Sequence, residues 1–236
     1  MKDLTVVTFK WHGWRKDLYK PVHVEVLERM LKKHLTIPHR FVCVTDDPKG
    51  LRCETRPLWH EPDIHTVQGR PNSYRRLRLF APEAKSMFGP RVLQMDLDCL
   101  LLGNIDHMIT NDDFKIMHGK AAPYNGSMWL HRTGTKTNVW SQLTTHAPEQ
   151  IRRHERLTGV RHYGSDQAWM SMKIQNAPVW ANRDGAYHFT LINNQVPDAA
   201  KVIFFAGHLK PWSRGMAERC PQIYDAYRAE AQASFV

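Results

Sequence analysis

The chain has 236 residues, with 33 Lys and Arg against 23 Asp and Glu, a net charge of +10, a pI near 9.6 and 42% hydrophobic residues. That hydrophobic share excludes a disordered polymer and can build the core of one α/β domain. The charge favours anionic partners such as nucleotides, nucleic acid or acidic lipid.

Leu4 to Phe9 is short, β-branched and apolar, as a buried strand should be. A helix follows from Pro21, with Val24, Leu27, Met30 and Leu31 on one face and Lys32, Lys33 and His34 in its last turn, where cations suit the helix dipole. Phe41 to Thr45 forms a second buried strand, closed by Asp46, Asp47, Pro48 and Gly50 as a turn. Strand, helix and strand in so short a span predict a βαβ unit and a parallel sheet with helices on its faces. Tyr74 to Met87 carries Leu77, Phe80 and Ala84 at helical spacing, interrupted or kinked at Pro82, and Val92 to Met95 is expected to be a strand running into Asp96-Leu97-Asp98. Ser127–Leu130 and Val202–Phe205 are further predicted strands, and Thr144 to Tyr163 is polar and helical or irregular. In open α/β sheets ligands bind beyond the carboxyl ends of the strands, so functional residues should follow strands.

Cys43, Cys53, Cys99 and Cys220 stand at no zinc-binding spacing. No signal peptide is expected, and no run approaches the roughly 20 apolar residues that span a bilayer. The expected location is the cytoplasm, without integral membrane association. Gly69 to Arg91 holds six basic residues, among them Arg70, Arg75, Arg76 and Arg78, against the single acid Glu83. A second cluster comprises Arg152, Arg153, Arg156 and Arg161. Either is ordinarily a solvated face; two of them make an anion-binding surface worth seeking.

Asp96 and Asp98 sit between two apolar runs, where carboxylates are costly unless paired or metal-bound. Residues two apart in an extended segment point the same way, so both could converge on a hard cation, Mn²⁺ or Mg²⁺. The competing reading is a strand-end turn.

The run Arg91 to Asp106, with Asp96-Leu97-Asp98 at its centre, resembles the metal-binding segment of family 8 glycosyltransferases, and more closely that of bacterial and phage relatives of the family. His34 to Asp47 is similar to a recurrent segment of those relatives, and Tyr74-Arg75-Arg76-Leu77 to the family's Tyr-x-Arg-Leu. Tyr124 to Trp129, Gly164-Ser165-Asp166-Gln167 and Gly207-His208-Leu209-Lys210-Pro211-Trp212 complete an ordered set of six motifs. The resemblance implies an α/β GT-A glycosyltransferase fold: a Rossmann-like domain over residues 1–236 with a mostly parallel central sheet flanked by helices. Its nucleotide-binding half would be 1–110, ending in Asp-x-Asp, and its acceptor and donor-sugar half 111–236. The implied function is metal-dependent transfer of a sugar from a nucleotide-diphosphate sugar, UDP-linked by preference, with retention.

By the same resemblance Asp96 and Asp98 are metal ligands, and Thr8 and Lys10 sit where the nucleoside binds. Arg76 falls near the donor phosphates, Asn125 and Asp166 at the sugar hydroxyls, and Gln167 opposite the anomeric carbon. Gly207, Lys210 and Trp212 belong to the diphosphate-binding motif, with Asp166, Gln167 and Lys210 the catalytic set. The family's third metal ligand, a histidine just before the glycine of the last motif, is replaced here by Phe204, Phe205 and Ala206. Either His208 is the substitute ligand, or the site holds metal with the two carboxylates, diphosphate oxygens and water.

On the acceptor side Asp184, Trp180, Arg152 and Arg153 are candidates, although a turn residue beside Gly185 is the better reading of Asp184. The positive charge favours an anionic acceptor. Hydroxymethylated bases of phage-type DNA come first, because the segment Ser213–Val236 balances three basic residues with three acids and so suits anionic lipid poorly. A lipooligosaccharide or capsule acceptor at the inner membrane is the alternative. A non-catalytic, basic nucleic-acid-binding protein is the alternative of another class, though no helix-turn-helix or zinc-finger signature supports it.

Overall fold

A computed structural model describes residues 3–12, 19–59, 73–162 and 166–233. Arg70 of the first basic cluster and Gly164-Ser165 of the Asp-Gln motif lie outside the described residues.

β1 (Leu4–Lys10) is buried along its whole length because it is central to a seven-stranded sheet and covered on both faces. Its alternation divides the core. Leu4 and Val6 face one hydrophobic cluster, and Val7 and Phe9 face the other. α1 (Pro21–His34) starts on a proline whose fixed φ suits a first turn, and buries Val24, Val26, Leu27, Met30 and Leu31. The chain returns as β2 (His39–Thr45), parallel to β1, which is the βαβ unit the hydrophobic pattern predicts.

β3 (Glu54–Pro57) adds an exposed parallel edge strand. The segment is interrupted at Pro82, one of the two outcomes expected there, but its first half, Ser73–Phe80, is a run of 3-10 turns and only the second, α2 (Ala84–Phe88), is α-helical. Pro82 has no N–H for a helix ladder, so the break at this point is complete.

β4 (Arg91–Met95) pairs with β1 in parallel, and β5 (Cys99–Leu101) follows the acidic pair. β6 (Phe114–His118) and β7 (Tyr124–Arg132) then form an antiparallel hairpin, with β7 also antiparallel to β4. The sheet order is β3-β2-β1-β4-β7-β6-β8, where β8 is Val179–Trp180. Short helices α3 (Asn138–Ser141), α4 (Ala147–Thr158) and α5 (Asp166–Lys173) lie between β7 and β8.

A second, three-stranded sheet has the order β5-β10-β9, with β9 spanning Ala186–His188 and β10 Val202–Phe204. α6 (Arg214–Arg219) and α7 (Pro221–Gln232) close the described chain, α7 against α1. The result is a mostly parallel α/β sheet with helices on both faces.

Two buried histidines make this core acid-sensitive. His131 is fully buried, donates from Nε2 to the Leu79 carbonyl at 2.9 Å, and stacks obliquely on Phe80. Burial holds its pKa down to about 4. His23, stacked on Trp212 with 3.8 Å between ring centres, is likewise held near 4, first by burial. Below the ordinary histidine value of about 6.5 the unfolded chain gains protons that the folded chain refuses. Stability is therefore full above pH 6.5 and falls as pH drops towards 4, by about 3 kcal/mol from His131 alone. Urea unfolding at pH 7.5 and 4.5 should show a smaller acid loss for His131→Gln than for the parent; equal slopes would exclude the assignment.

Candidate functional site

Asp96 and Asp98 fall in the turn between β4 and β5, at the carboxyl edge of the parallel strands. The backbone of the turn is fixed from both sides: the Asp96 N–H donates to the Ser127 carbonyl at 2.9 Å, and the Asp98 carbonyl accepts from the Phe205 N–H at 3.2 Å. The second of these bonds matters because β10 pairs antiparallel with β5, Phe204 opposite Cys99. That pairing delivers the segment after β10, and Lys210 with it, to the acidic turn.

Lys210 and Asp98 are both buried, about 5% exposed, and form an ion pair through Nζ and Oδ2. Arg76, from the 3-10 turn, is buried between two carboxylates. Its Nε donates to Asp166 Oδ2 at 2.7 Å and its Nη1 to Asp96 Oδ1. The guanidinium also lies over the Trp129 ring at 5.3 Å. A planar cation with several donors is the one side chain that can span two carboxylates in this way. Three carboxylates against two cations leave the cluster with one excess negative charge. Burial, with Asp98 and Asp166 nearby, raises the Asp96 pKa although Arg76 opposes the rise; the Asp166 pKa is raised by burial as well.

Gly126 is the small residue that permits this packing. A Cβ there would stand 3.1 Å from Arg76 Nη2 and 3.3 Å from Gln167 Cβ. The Gly126 N–H donates to Gln167 Oε1 at 3.0 Å, and Asn125 Oδ1 accepts from the Ser127 N–H at 2.8 Å. Asn125 and Gln167 then line a cavity of about 200 Å³, together with Tyr124, His188, Thr190 and Lys120. At the end of β1, Thr8 is fully buried with its hydroxyl unpaired among the described residues, and Lys10 donates to the Asp47 carbonyl at 3.0 Å.

Asp96, Asp98, Arg76, Asp166 and Lys210 are therefore brought together, with Asn125 and Gln167 beside them. Other candidates are not. His208 is exposed in the turn begun by Gly207, whose φ is 67°. Among the described residues no three of His, Cys, Asp and Glu are grouped as a cation site, so His208 is not gathered with Asp96 and Asp98 here. Trp212 packs on His23, Tyr19 and Tyr227 at the edge of the core. Trp180 is 1% exposed, so its ring has no free face for an acceptor, and that expectation is corrected. Asp184 accepts from the Ala181 N–H at 2.9 Å ahead of Gly185 at φ 80°, the geometry of a turn residue. Arg152 and Arg153 are exposed on α4.

Sequence reasoning missed three contributors. Gln94 is fully buried and donates to Asp96 Oδ1 at 3.0 Å. A lone amide in the apolar run of β4, two residues before the first acid and so on its side of the strand, was the available signal. Tyr19 contacts Asp98, and burial followed by the negative field of Asp98 raises its hydroxyl pKa. Tyr74 is buried, with its pKa raised to about 12 by burial and by Asp166. Nothing in the local sequence of Tyr19 marks it.

No family sequence model matches this chain, and no curated protein does either. Solved structures do match. The galactosyltransferase LgtC in complex with donor and acceptor sugar analogues is similar over 98% of this chain and 97% of its own, at 12% identity and TM-score 0.63. An active-site mutant of LgtC gives 13% identity and TM-score 0.65 over the same shares. The glycosyltransferase GlyE of Streptococcus pneumoniae TIGR4 is 11% identical with TM-score 0.63 over 98% of this chain and 60% of GlyE. This chain thus has the GT-A-like fold of those glycosyltransferases.

Proposed function

We propose that this protein is a glycosyltransferase that moves a sugar from a nucleotide-diphosphate sugar, UDP-linked by preference, to an acceptor hydroxyl with retention of configuration. The observation that carries the reading is the convergence of Asp96, Asp98, Arg76, Asp166 and Lys210 beside Asn125 and Gln167, at the sheet edge where open α/β folds bind ligands. The GT-A-like fold supports it. The proposal treats residues 1–236 as one domain, with donor nucleotide on the 1–110 half and donor sugar and acceptor on the 111–236 half.

Asp96 and Asp98 would hold a divalent cation, Mn²⁺ or Mg²⁺. The donor set fits: hard carboxylate oxygens, in a cluster with excess negative charge and an Asp96 side chain still 26% exposed. When bound, such an ion would supply charge neutralisation at a diphosphate. The chain's own residues do the remainder. Lys210 exchanges its carboxylate partner for the departing phosphate. Arg76 holds Asp166 rigid, so that Asp166 with Asn125 can accept hydrogen bonds from sugar hydroxyls. Gln167, anchored on the Gly126 N–H, fixes the anomeric centre against the cavity where the acceptor hydroxyl enters. Thr8 and Lys10 sit below the nucleoside.

The acceptor is proposed to be anionic. Of the first basic cluster, Arg75 and Arg76 are buried and Arg78 pairs with Glu83, so these arginines do not form a surface for phosphates. The α4 arginines do face outward. They support a polyanionic acceptor, either a glycan on an anionic lipid or hydroxymethylated DNA; mass spectrometry of both after incubation with donor separates them.

Thermal shift with UDP- and GDP-sugars, with and without Mn²⁺, tests the donor site. A UDP-sugar with Mn²⁺ at a hundredfold excess over its Kd should raise Tm by about 5 °C or more, beyond either ligand alone. A panel in which no sugar nucleotide gives a metal-dependent shift would remove the proposal and favour a basic binding module.

A further inference from the structure

The second basic cluster takes no part in the donor site, and its surroundings give it a character of its own. α4 buries Ala147 and Ile151 on one face and turns Arg152, Arg153 and Arg156 outward. It ends at Gly159, whose φ of 71° makes the left-handed turn that leads into Val160 and Arg161. Leu157 is 75% exposed and Val160 40% exposed, three residues apart and set among those arginines.

Solubility alone does not explain that composition. A solvated helix face gains nothing from an aliphatic side chain held three-quarters in water, at a cost of about 1.5 kcal/mol or more against burial. Exposed aliphatic side chains beside a cluster of arginines suit the surface of an anionic bilayer, which offers headgroup phosphates and an apolar layer together. Arg152, Arg156, Gly159 and Arg161 also border, with Glu155, an open concavity of about 470 Å³, large enough for a phosphate headgroup. Glu155 is partly engaged already, its Oε1 accepting from the His162 N–H at 2.6 Å.

We propose that this face, Arg152, Arg153, Arg156 and Arg161 around Leu157 and Val160, docks the protein on an anionic bilayer surface. The arginines meet headgroup phosphates, and the two aliphatic side chains enter the interfacial layer. A nucleic-acid duplex offers the same phosphates but no apolar layer to take up Leu157, which decides between the two. The contact is peripheral: among the described residues no helix is long and apolar enough to cross a membrane.

Co-sedimentation of the full chain with vesicles provides the test. Binding is expected to POPC vesicles containing 30% POPG and not to pure POPC. The triple variant R152Q/R153Q/R156Q should weaken partitioning on the order of 100-fold, about fivefold for each charge removed. L157Q/V160Q keeps every charge and should still lose about tenfold, because the aliphatic contact is lost. All five side chains are exposed, so circular dichroism and the UDP-sugar thermal shift should match the parent. Those two readouts keep a failed docking face distinct from a failed transferase reading. Equal binding to both vesicle types, unchanged partitioning in either variant, or loss of binding to a DNA duplex in the arginine variant without any vesicle effect would each overturn the proposal.

Discussion

Arg76→Met is expected to destabilise the protein by about 3–5 kcal/mol, because it leaves the buried Asp166 and the partly buried Asp96 without their shared cation. For a chain of this size that corresponds to a fall in Tm of about 10 °C. The pH dependence identifies the cause. Without the guanidinium, burial and mutual repulsion raise both carboxyl pKa values still further above their unfolded values, because Arg76 is what opposes the rise. The penalty is then absent at acid pH, where both groups are protonated, and grows as pH rises through the folded pKa values. The variant should gain stability on moving from pH 7.5 towards 5 relative to the parent, which loses stability over that range through its buried histidines. Donor hydrolysis should fall by about 100-fold or more, with Asp166 no longer held against the sugar site. Arg76→Lys should be intermediate in stability, since an ammonium cannot span both acids. A stable, active Arg76→Met protein would show that the triad has no part in either folding or turnover.

Asp98→Asn and Asp98→Ala should separate function from stability at the second ion pair. Both should lower transfer about 1000-fold or more, if Asp98 holds the cation and sets Lys210. The asparagine keeps the shape and an acceptor for the Lys210 ammonium, and should cost about 1–2 kcal/mol. Alanine leaves a buried ammonium without a partner and should cost about 3–5 kcal/mol. The double variant D98A/K210M should recover most of that stability with no recovery of activity, a coupling that a thermodynamic cycle on urea midpoints measures. Turnover in Asp98→Asn near the parent's rate would count decisively against the metal-and-diphosphate scheme. Nothing in the local sequence shows this cost: it arises because a lysine 112 residues away is the aspartate's immediate partner.

Local pattern was sufficient for much of the framework. The apolar β-branched run of β1, the amphipathic face of α1 between Pro21 and His34, and the apolar run of β2 each determine their own conformation. Together they fix a parallel βαβ unit because right-handed crossovers leave few alternatives. The acidic pair was equally legible, as two carboxylates in an apolar run demand partners. β5, β8, β9 and β10 are two or three residues long. Strands so short carry little periodicity: Val202–Phe204 was read as a strand, whereas Cys99–Leu101 was legible only as an apolar run after the acids. The 3-10 turn was misread as a helix because both place apolar residues at nearly the same spacing.

What the sequence by itself determined was the inventory: which strands are central, which residues are too polar for their apolar neighbourhood, and which end of the sheet would hold the chemistry. Which acid meets which base was decided only by tertiary structure. The β5–β10 pairing delivers Lys210 to Asp98, and the 3-10 turn places Arg76 between Asp96 and Asp166. The reason is physical. Secondary structure follows from interactions within a few residues, whereas the state of a buried charge depends on the nearest opposite charge and the water excluded around it. Both are set by segments far apart in the chain, and the same is true of Trp180, whose burial by distant elements removed it from the acceptor site, and of Leu157, which those elements left in solvent.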